Sequence, residues 1–171
     1  KYYGIKNFGN PDLTDFNESK EINLSFNGDL RDYQKKVVDT VIPKIKNQEG
    51  GTISLPPGRG KTVIACNIIS KLKTKTLVIV HKTFLLNQWK NRIEFFLPNS
   101  KVGIIQGKTI DVDKKDIVIG MLQTLSLKDD YPDDIFDDFG CIIFDECHHL
   151  SAEKFSQILR KISLRYMIGL S

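Results

Sequence analysis

Eight residues, Leu55-Pro56-Pro57-Gly58-Arg59-Gly60-Lys61-Thr62, restrict the fold more than any other stretch of the chain. A short β-branched run, Thr52-Ile53-Ser54, precedes them, and an apolar helical stretch, Val63 to Ile69, follows. Strand, glycine loop, Gly-Lys-Thr and helix together form the frame that holds a polyphosphate. Loop amides and the helix N-terminus face the anion, the lysine reaches the outer phosphates, and the threonine hydroxyl ligates magnesium. The strict pattern G-x-x-x-x-G-K-[ST] is not met, because Leu55 stands where it has glycine. The bland alternative is a Gly/Pro turn that happens to precede a helix start.

The rest of the chain alternates in the same way. Ile22, Leu24 and Phe26 alternate with polar residues and predict a short strand, broken at Asn27-Gly28-Asp29. A helix is expected from Leu30 with Asp29 as N-cap, kinked or ended early by Pro43, and Gly50-Gly51 closes that unit. Strands are expected at Thr76–Val80, Val102–Ile105, Asp116–Ile119, Cys141–Phe144 and Tyr166–Ile168. Helices fall between them, from Thr83 to before Pro98, over Met121–Leu127, and after Ser151 as N-cap. Gly107 to Lys115 reads as a turn, and Lys128 to Asp138 as a solvated aspartate-rich loop without calcium-loop spacing. Strands rich in Val and Ile, alternating with helices, imply an α/β fold with a mostly parallel sheet covered on both faces. Ligands in such sheets sit at the carboxyl ends of the strands.

Cys141-Ile142-Ile143-Phe144 runs directly into Asp145-Glu146, which places two carboxylates at that same edge. Asp145 is expected to hold Mg2+, and Glu146 to orient or deprotonate the attacking water. The candidate nucleotide site is therefore Pro57, Gly58, Arg59, Gly60, Lys61, Thr62 and Val63, with Lys61, Asp145 and Glu146 catalytic and Thr62 and Asp145 as metal ligands. Cys147-His148-His149 has no matching ligand cluster elsewhere, which argues against zinc. Trp89, at helical spacing with Leu85, Leu86 and Ile93, reads as core rather than as a base-stacking platform.

Composition leaves this reading intact. The chain has 171 residues, enough for one domain, with 40% hydrophobic and 27% charged residues and a formal charge of +4. That mild basicity permits nucleic-acid binding without requiring it. The three cysteines, Cys66, Cys141 and Cys147, form no C-x-x-C pair, as expected in a reducing intracellular compartment. No apolar run approaches a membrane span. A start at Lys1 and a stop at Ser171 directly after an apolar strand suggest a fragment of a longer protein.

The order of these elements resembles the superfamily 2 helicases and translocases. Pro56 to Thr62 resembles their motif I, and Asp145-Glu146-Cys147-His148 a D-E-x-H form of motif II. Leu30-Arg31-Asp32-Tyr33-Gln34 is similar to the upstream glutamine element. Val78 to Lys82 followed by Leu85 to Trp89 is similar to motif Ia, Ile117 to Leu125 to the I-V-I-x-T-x-Q-x-L element, and Gly169-Leu170-Ser171 to the start of motif III. The forms present look most like the branch of restriction-enzyme motors, XPB-type repair translocases and helicases of large DNA viruses.

The resemblance implies a RecA-like P-loop NTPase domain over residues 22–171, with residues 1–21 an irregular lead-in, and a second RecA-like domain with its arginine finger outside this chain. It implies an ATP-dependent helicase or translocase acting on nucleic acid, DNA favoured over RNA. The chain alone would bind ATP but hydrolyse it poorly. It also implies contacts from Gln34 to adenine, nucleic-acid contacts from His81, Lys82, Gly103, Gln123 and Thr124, and coupling by His148 and Ser171. Several alternatives stay open. Gln34 would otherwise be an exposed helix residue, Arg31 a first-turn charge or a nucleotide contact, and Arg59 a phosphate contact or an interdomain one. His81 and Lys82 would otherwise lie in a solvated loop. The rival function is a nucleotide-gated clamp or adaptor without productive turnover.

Overall fold

The computed structural model describes residues 19–48, 50–127, 131–132, 134–162 and 164–171. The lead-in assigned to residues 1–21 falls almost wholly outside these. Helix α1 (Asp32–Gln48) leads into β1 (Gly50–Ile53), and α2 (Lys61–Leu72), β2 (Thr76–Val80) and α3 (Thr83–Phe96) follow. Next come β3 (Val102–Gln106), β4 (Thr109–Ile110), β5 (Ile117–Met121), α4 (Leu122–Leu127) and β6 (Cys141–Phe144). A 3₁₀ turn at Cys147–His149, α5 (Ala152–Leu159) and β7 (Tyr166–Leu170) complete the order. The strands form one sheet in the order β1-β7-β6-β2-β5-β3-β4. Every pairing in it is parallel except β3 with β4. This is the expected α/β fold.

Strand β2 shows why the sheet needs cover on both faces. Val78 and Val80 enter one apolar layer, with Ile64, Ile68, Trp89 and Ile93 of α2 and α3. Leu77 and Ile79, between them, enter the other, with Leu125 of α4 and Ile158 of α5. A run of apolar residues without polar alternation fits only a strand buried on both sides. Strands β2, β5 and β6 are buried along their whole length, while β1 and β3 alternate.

Six local expectations need correction. Pro43 neither ends nor shortens α1, which runs on to Gln48. Pro43 is exposed, so the carbonyl that loses its partner can be hydrated, and buried Ile45 anchors the turn beyond. Asp29 is not the N-cap, since α1 starts at Asp32 and the Gln34 side chain reaches back to the Arg31 amide (2.9 Å), half of a capping box. Gly50-Gly51 opens β1 rather than closing the unit before it. A Cβ at Gly50 would come within 2.5 Å of the Met167 carbonyl of neighbouring β7. Residues 22–26 alternate in burial but form no strand with the described residues; an isolated bridge joins the preceding Glu21 to Thr74.

The fifth correction concerns the aspartate-rich stretch. Phe136 and Phe139 are buried, and Asp138 holds the buried Lys75 ammonium at 2.8 Å. That part of the stretch is an anchored turn, not a solvated loop. Gly107 to Lys115 also carries more order than a turn, because Thr109–Ile110 pairs back on β3 as a hairpin. Among the described residues, no helix is long and apolar enough to cross a membrane.

Candidate nucleotide-binding site

The loop after β1 is laced to β7. Leu55 N–H donates to the Ser171 carbonyl (2.9 Å), and Ser171 N–H to the Ile53 carbonyl (3.0 Å). Leu55 itself is buried, so the position that departs from the strict phosphate-loop pattern contributes a core side chain. Gly58 and Gly60 then turn the chain with φ of 76° and 75°, a left-handed region where a side chain is strained. Helix α2 starts at Lys61 with no capping side chain and no acidic residue in its first turn. Its first-turn amides are thus left for an external anion.

Gln34 is buried against this loop. Its Nε2 donates to the Arg59 carbonyl at 3.2 Å, as does the Tyr33 hydroxyl at 2.9 Å. A Cβ on Gly60 would overlap Gln34 Nε2, so glycine there is a packing requirement as well as a conformational one. The exposed-helix reading of Gln34 therefore fails. One amide hydrogen and one lone pair remain for a base edge. Arg31 lines the cavity beside it, whereas the Arg59 guanidinium lies over the Tyr33 ring at 5.7 Å.

The acidic pair faces the loop across a cavity of about 530 Å³, lined among others by Gln34, Gly58, Lys61, Thr62, Asp145 and Glu146. Pro57, Gly60 and Val63 belong to the same wall. Asp145 follows β6, its amide bonded to the Ile79 carbonyl (2.9 Å) of β2. Its Oδ2 accepts the Trp89 indole N–H at 2.8 Å. Burial raises the Asp145 pKa, against the Trp89 hydrogen bond, which lowers it. Glu146 has φ 51°, a left-handed conformation costly for a glutamate and of the kind found where a site fixes a side chain.

Glu146 Oε1 meets Lys61 Nζ at 3.0 Å, and its Oε2 lies 3.4 Å from His148 Nδ1. Burial raises its pKa, but the Lys61 hydrogen bond and charge, helped by both histidines, outweigh this and hold it low. His148 Nδ1 also stands 3.2 Å from the Ser171 hydroxyl, so the two residues assigned to coupling touch each other, and His148 also touches the acid. Gly169 lets this turn pack closely on β7, where a Cβ would come 2.9 Å from Cys147 Sγ. Thr62 and Asp145 offer hydroxyl and carboxylate oxygens to one cavity. That hard donor set, completed by phosphate and water, suits magnesium.

A second group of assigned residues gathers further along the same sheet edge. Gln123 Nε2 donates to the His81 carbonyl (2.9 Å), and the Thr124 hydroxyl accepts the Gly107 amide (3.0 Å). Lys82 is exposed beside them, its ammonium 5.9 Å from the Phe84 ring centre. The His81 ring turns toward His149, with centroids 5.0 Å apart, and burial together with the charges of His149 and Lys82 lowers its pKa. Gly103 does not join the group. It is buried inside β3, where a Cβ would overlap the Asp111 carbonyl, so its close approach is to its own chain. Sequence reasoning missed the α3 wall of the cavity, where Leu85, Gln88, Arg92 and Phe96 recur at helical spacing on one face.

A family model described as the res subunit of type III restriction enzymes matches residues 27–171. The chain belongs to this family. A protein of Acanthamoeba polyphaga mimivirus, L396, named as an ATP-dependent RNA helicase, is 42% identical over all of this chain and 33% of its own length. The DNA 3'-5' translocase XPB2 of Sulfurisphaera tokodaii is 34% identical over 84% of this chain and 30% of its own. The Sulfolobus solfataricus SWI2/SNF2 ATPase core, solved with double-stranded DNA, superposes with a TM-score of 0.71 at 20% identity, over 91% of this chain and 34% of that one. The res-family chain is thus a superfamily 2 helicase-type domain with a RecA-like fold. It spans about a third of the length of these relatives.

Proposed function

We propose that this domain is the ATP-binding part of a nucleic-acid-dependent motor that couples ATP hydrolysis to movement on, or opening of, DNA. The observation that carries the reading is the meeting of Lys61 and Glu146 at 3.0 Å within the cavity that Thr62 and Asp145 also line. Loop amides and Lys61 hold the triphosphate. Thr62 and Asp145 would hold magnesium, which would neutralise charge on the phosphoryl oxygens.

As Lys61 swings to the phosphates it releases Glu146. The contact that holds the Glu146 pKa down is then lost, and the carboxylate is freed to orient the attacking water and take its proton. Gln34 reads adenine through its remaining donor and acceptor. His148 and Ser171 relay the state of Glu146 to β7. His81, Lys82, Gln123 and Thr124 meet the nucleic-acid backbone, where donors and positive charge position phosphates without reading sequence.

An arginine to stabilise the transferring phosphoryl group is supplied by a second RecA-like domain, a contribution worth ~10³-fold or more. The free thiols of Cys66, Cys141 and Cys147 suit a reducing, intracellular setting. The test compares ATP binding and hydrolysis by this chain and by the full-length protein, with duplex DNA, single-stranded DNA and RNA. The chain is expected to bind ATP with near-background turnover, and the longer protein to be stimulated most by DNA. Equal turnover by both would remove the second-domain arginine, and absence of nucleic-acid stimulation would remove the motor.

A further inference from the structure

Trp89 belongs to the core by burial, at 1% exposed between α2, α3 and the sheet. Its polar end does not. A buried indole N–H needs an acceptor, and here that acceptor is Oδ2 of Asp145 at 2.8 Å, a carboxylate on the wall of the nucleotide cavity. We propose that Trp89 is a positioning residue for Asp145, holding one carboxylate oxygen so that the other is presented to the cation beside Thr62.

This rests on the nucleotide–magnesium reading above. A carboxylate at the end of a strand is free to rotate about its last torsion, and either oxygen could face a cation. The Asp145 backbone is fixed by its bond to Ile79. The Trp89 bond fixes the remaining torsion, because α3 is held by Leu86 and Ile93 on either side of the indole. Oδ2 is committed, and Oδ1 is the oxygen left for magnesium or its water. Partners in the shell outside a metal ligand act in this way, and their removal weakens metal affinity by ~10–100-fold.

The test uses the fact that the chain has a single tryptophan, so replacing tryptophan by its benzothienyl analogue exchanges N–H for sulfur at this site alone. Binding of a fluorescent ATP analogue is measured with EDTA and across a magnesium titration. Wild type, the analogue-substituted chain and Trp89→Phe are compared. Both altered chains should keep the EDTA affinity and need ~10–100-fold more magnesium for half-maximal tightening. In wild type, indole emission should shift with magnesium and ATP but not with ATP in EDTA.

An unchanged magnesium requirement in the benzothienyl chain overturns the proposal even if Trp89→Phe fails to fold. Equal loss of affinity with and without magnesium reduces Trp89 to packing and overturns it as well. If wild type shows no tightening by magnesium, the nucleotide–magnesium reading itself is lost.

Discussion

Gly60→Ala tests the geometry of the phosphate loop most directly, because two separable penalties act there. An alanine at φ 75° sits in the left-handed region, which costs about 1–2 kcal/mol. Its Cβ also overlaps Gln34 Nε2, so the amide has to leave its bonds to the Arg59 carbonyl and the Arg31 amide. Each such bond is worth ~0.5–1.5 kcal/mol, giving a total of ~2–5 kcal/mol against the binding-competent loop. Gly58→Ala has the same backbone penalty at φ 76° but open space around its Cβ, and so loses only ~1–2 kcal/mol.

With tenfold in affinity for each ~1.4 kcal/mol, Gly58→Ala should weaken ATP binding about tenfold and Gly60→Ala by roughly 30- to 4,000-fold. Calorimetric titration with magnesium and ATP measures both, and thermal melts without nucleotide check folding. Adding Gln34→Ala removes the overlap, so Gly60→Ala in that background should fall back to the Gly58→Ala penalty. The reasoning is refuted if the two glycine variants weaken binding equally, or if Gln34→Ala leaves the Gly60→Ala penalty unchanged.

Other substitutions probe the catalytic edge and the scaffold. Glu146→Gln releases Lys61 from its ion pair, so ATP affinity should hold or rise while single-turnover hydrolysis in the full-length protein falls ~10²–10⁴-fold. Unaltered turnover would remove Glu146 as the base, whereas no hydrolysis by either form, with function unchanged, would favour the clamp without chemistry. Pro43→Ala restores a helix amide at an exposed site and should raise stability in urea unfolding by about 1–2 kcal/mol, within the ~3 kcal/mol propensity gap; no gain would mean α1 already absorbs the proline without loss. Burial pushes the Cys66 and Cys141 thiols up to about 12, so at about pH 8 they carry almost no thiolate, and the window for their reaction opens only far above it. Iodoacetamide should label Cys147 before either, read by mass spectrometry of peptides. Equal labelling of all three in the native protein would contradict the burial.

The sequence carried the frame of the site because its signals are local. A glycine loop between a strand and a helix, and two carboxylates ending an apolar strand, each specify their own position at the sheet edge. The distances between them, such as Lys61 to Glu146 at 3.0 Å, depend on pairing β1 with β7 and β7 with β6, which no local pattern encodes. Trp89 shows the same limit. Its spacing gave burial correctly, but burial says nothing about which acceptor the indole N–H finds. Gly103 erred in the opposite sense, because a glycine that admits its own chain and one that admits a ligand look alike until the Asp111 carbonyl is seen above it. Pro43 and Gly50-Gly51 were misread by local rules that exposure of a helix face and the close approach of a neighbouring strand overrode.

The bond between Lys61 and Glu146 makes the loop an internal competitor for its own ligand. Any anion approaching Lys61 has to displace a carboxylate already there. The two side chains are 14% and 29% exposed, so the pair is worth about 1 kcal/mol, a handicap of roughly fivefold. A triphosphate that also engages the loop amides and α2 absorbs that handicap easily. A lone sulfate or acetate, depending on Lys61 for most of its attraction, does not. The ion pair thus sets the same small handicap for every anion, which weighs most on one that has few other contacts.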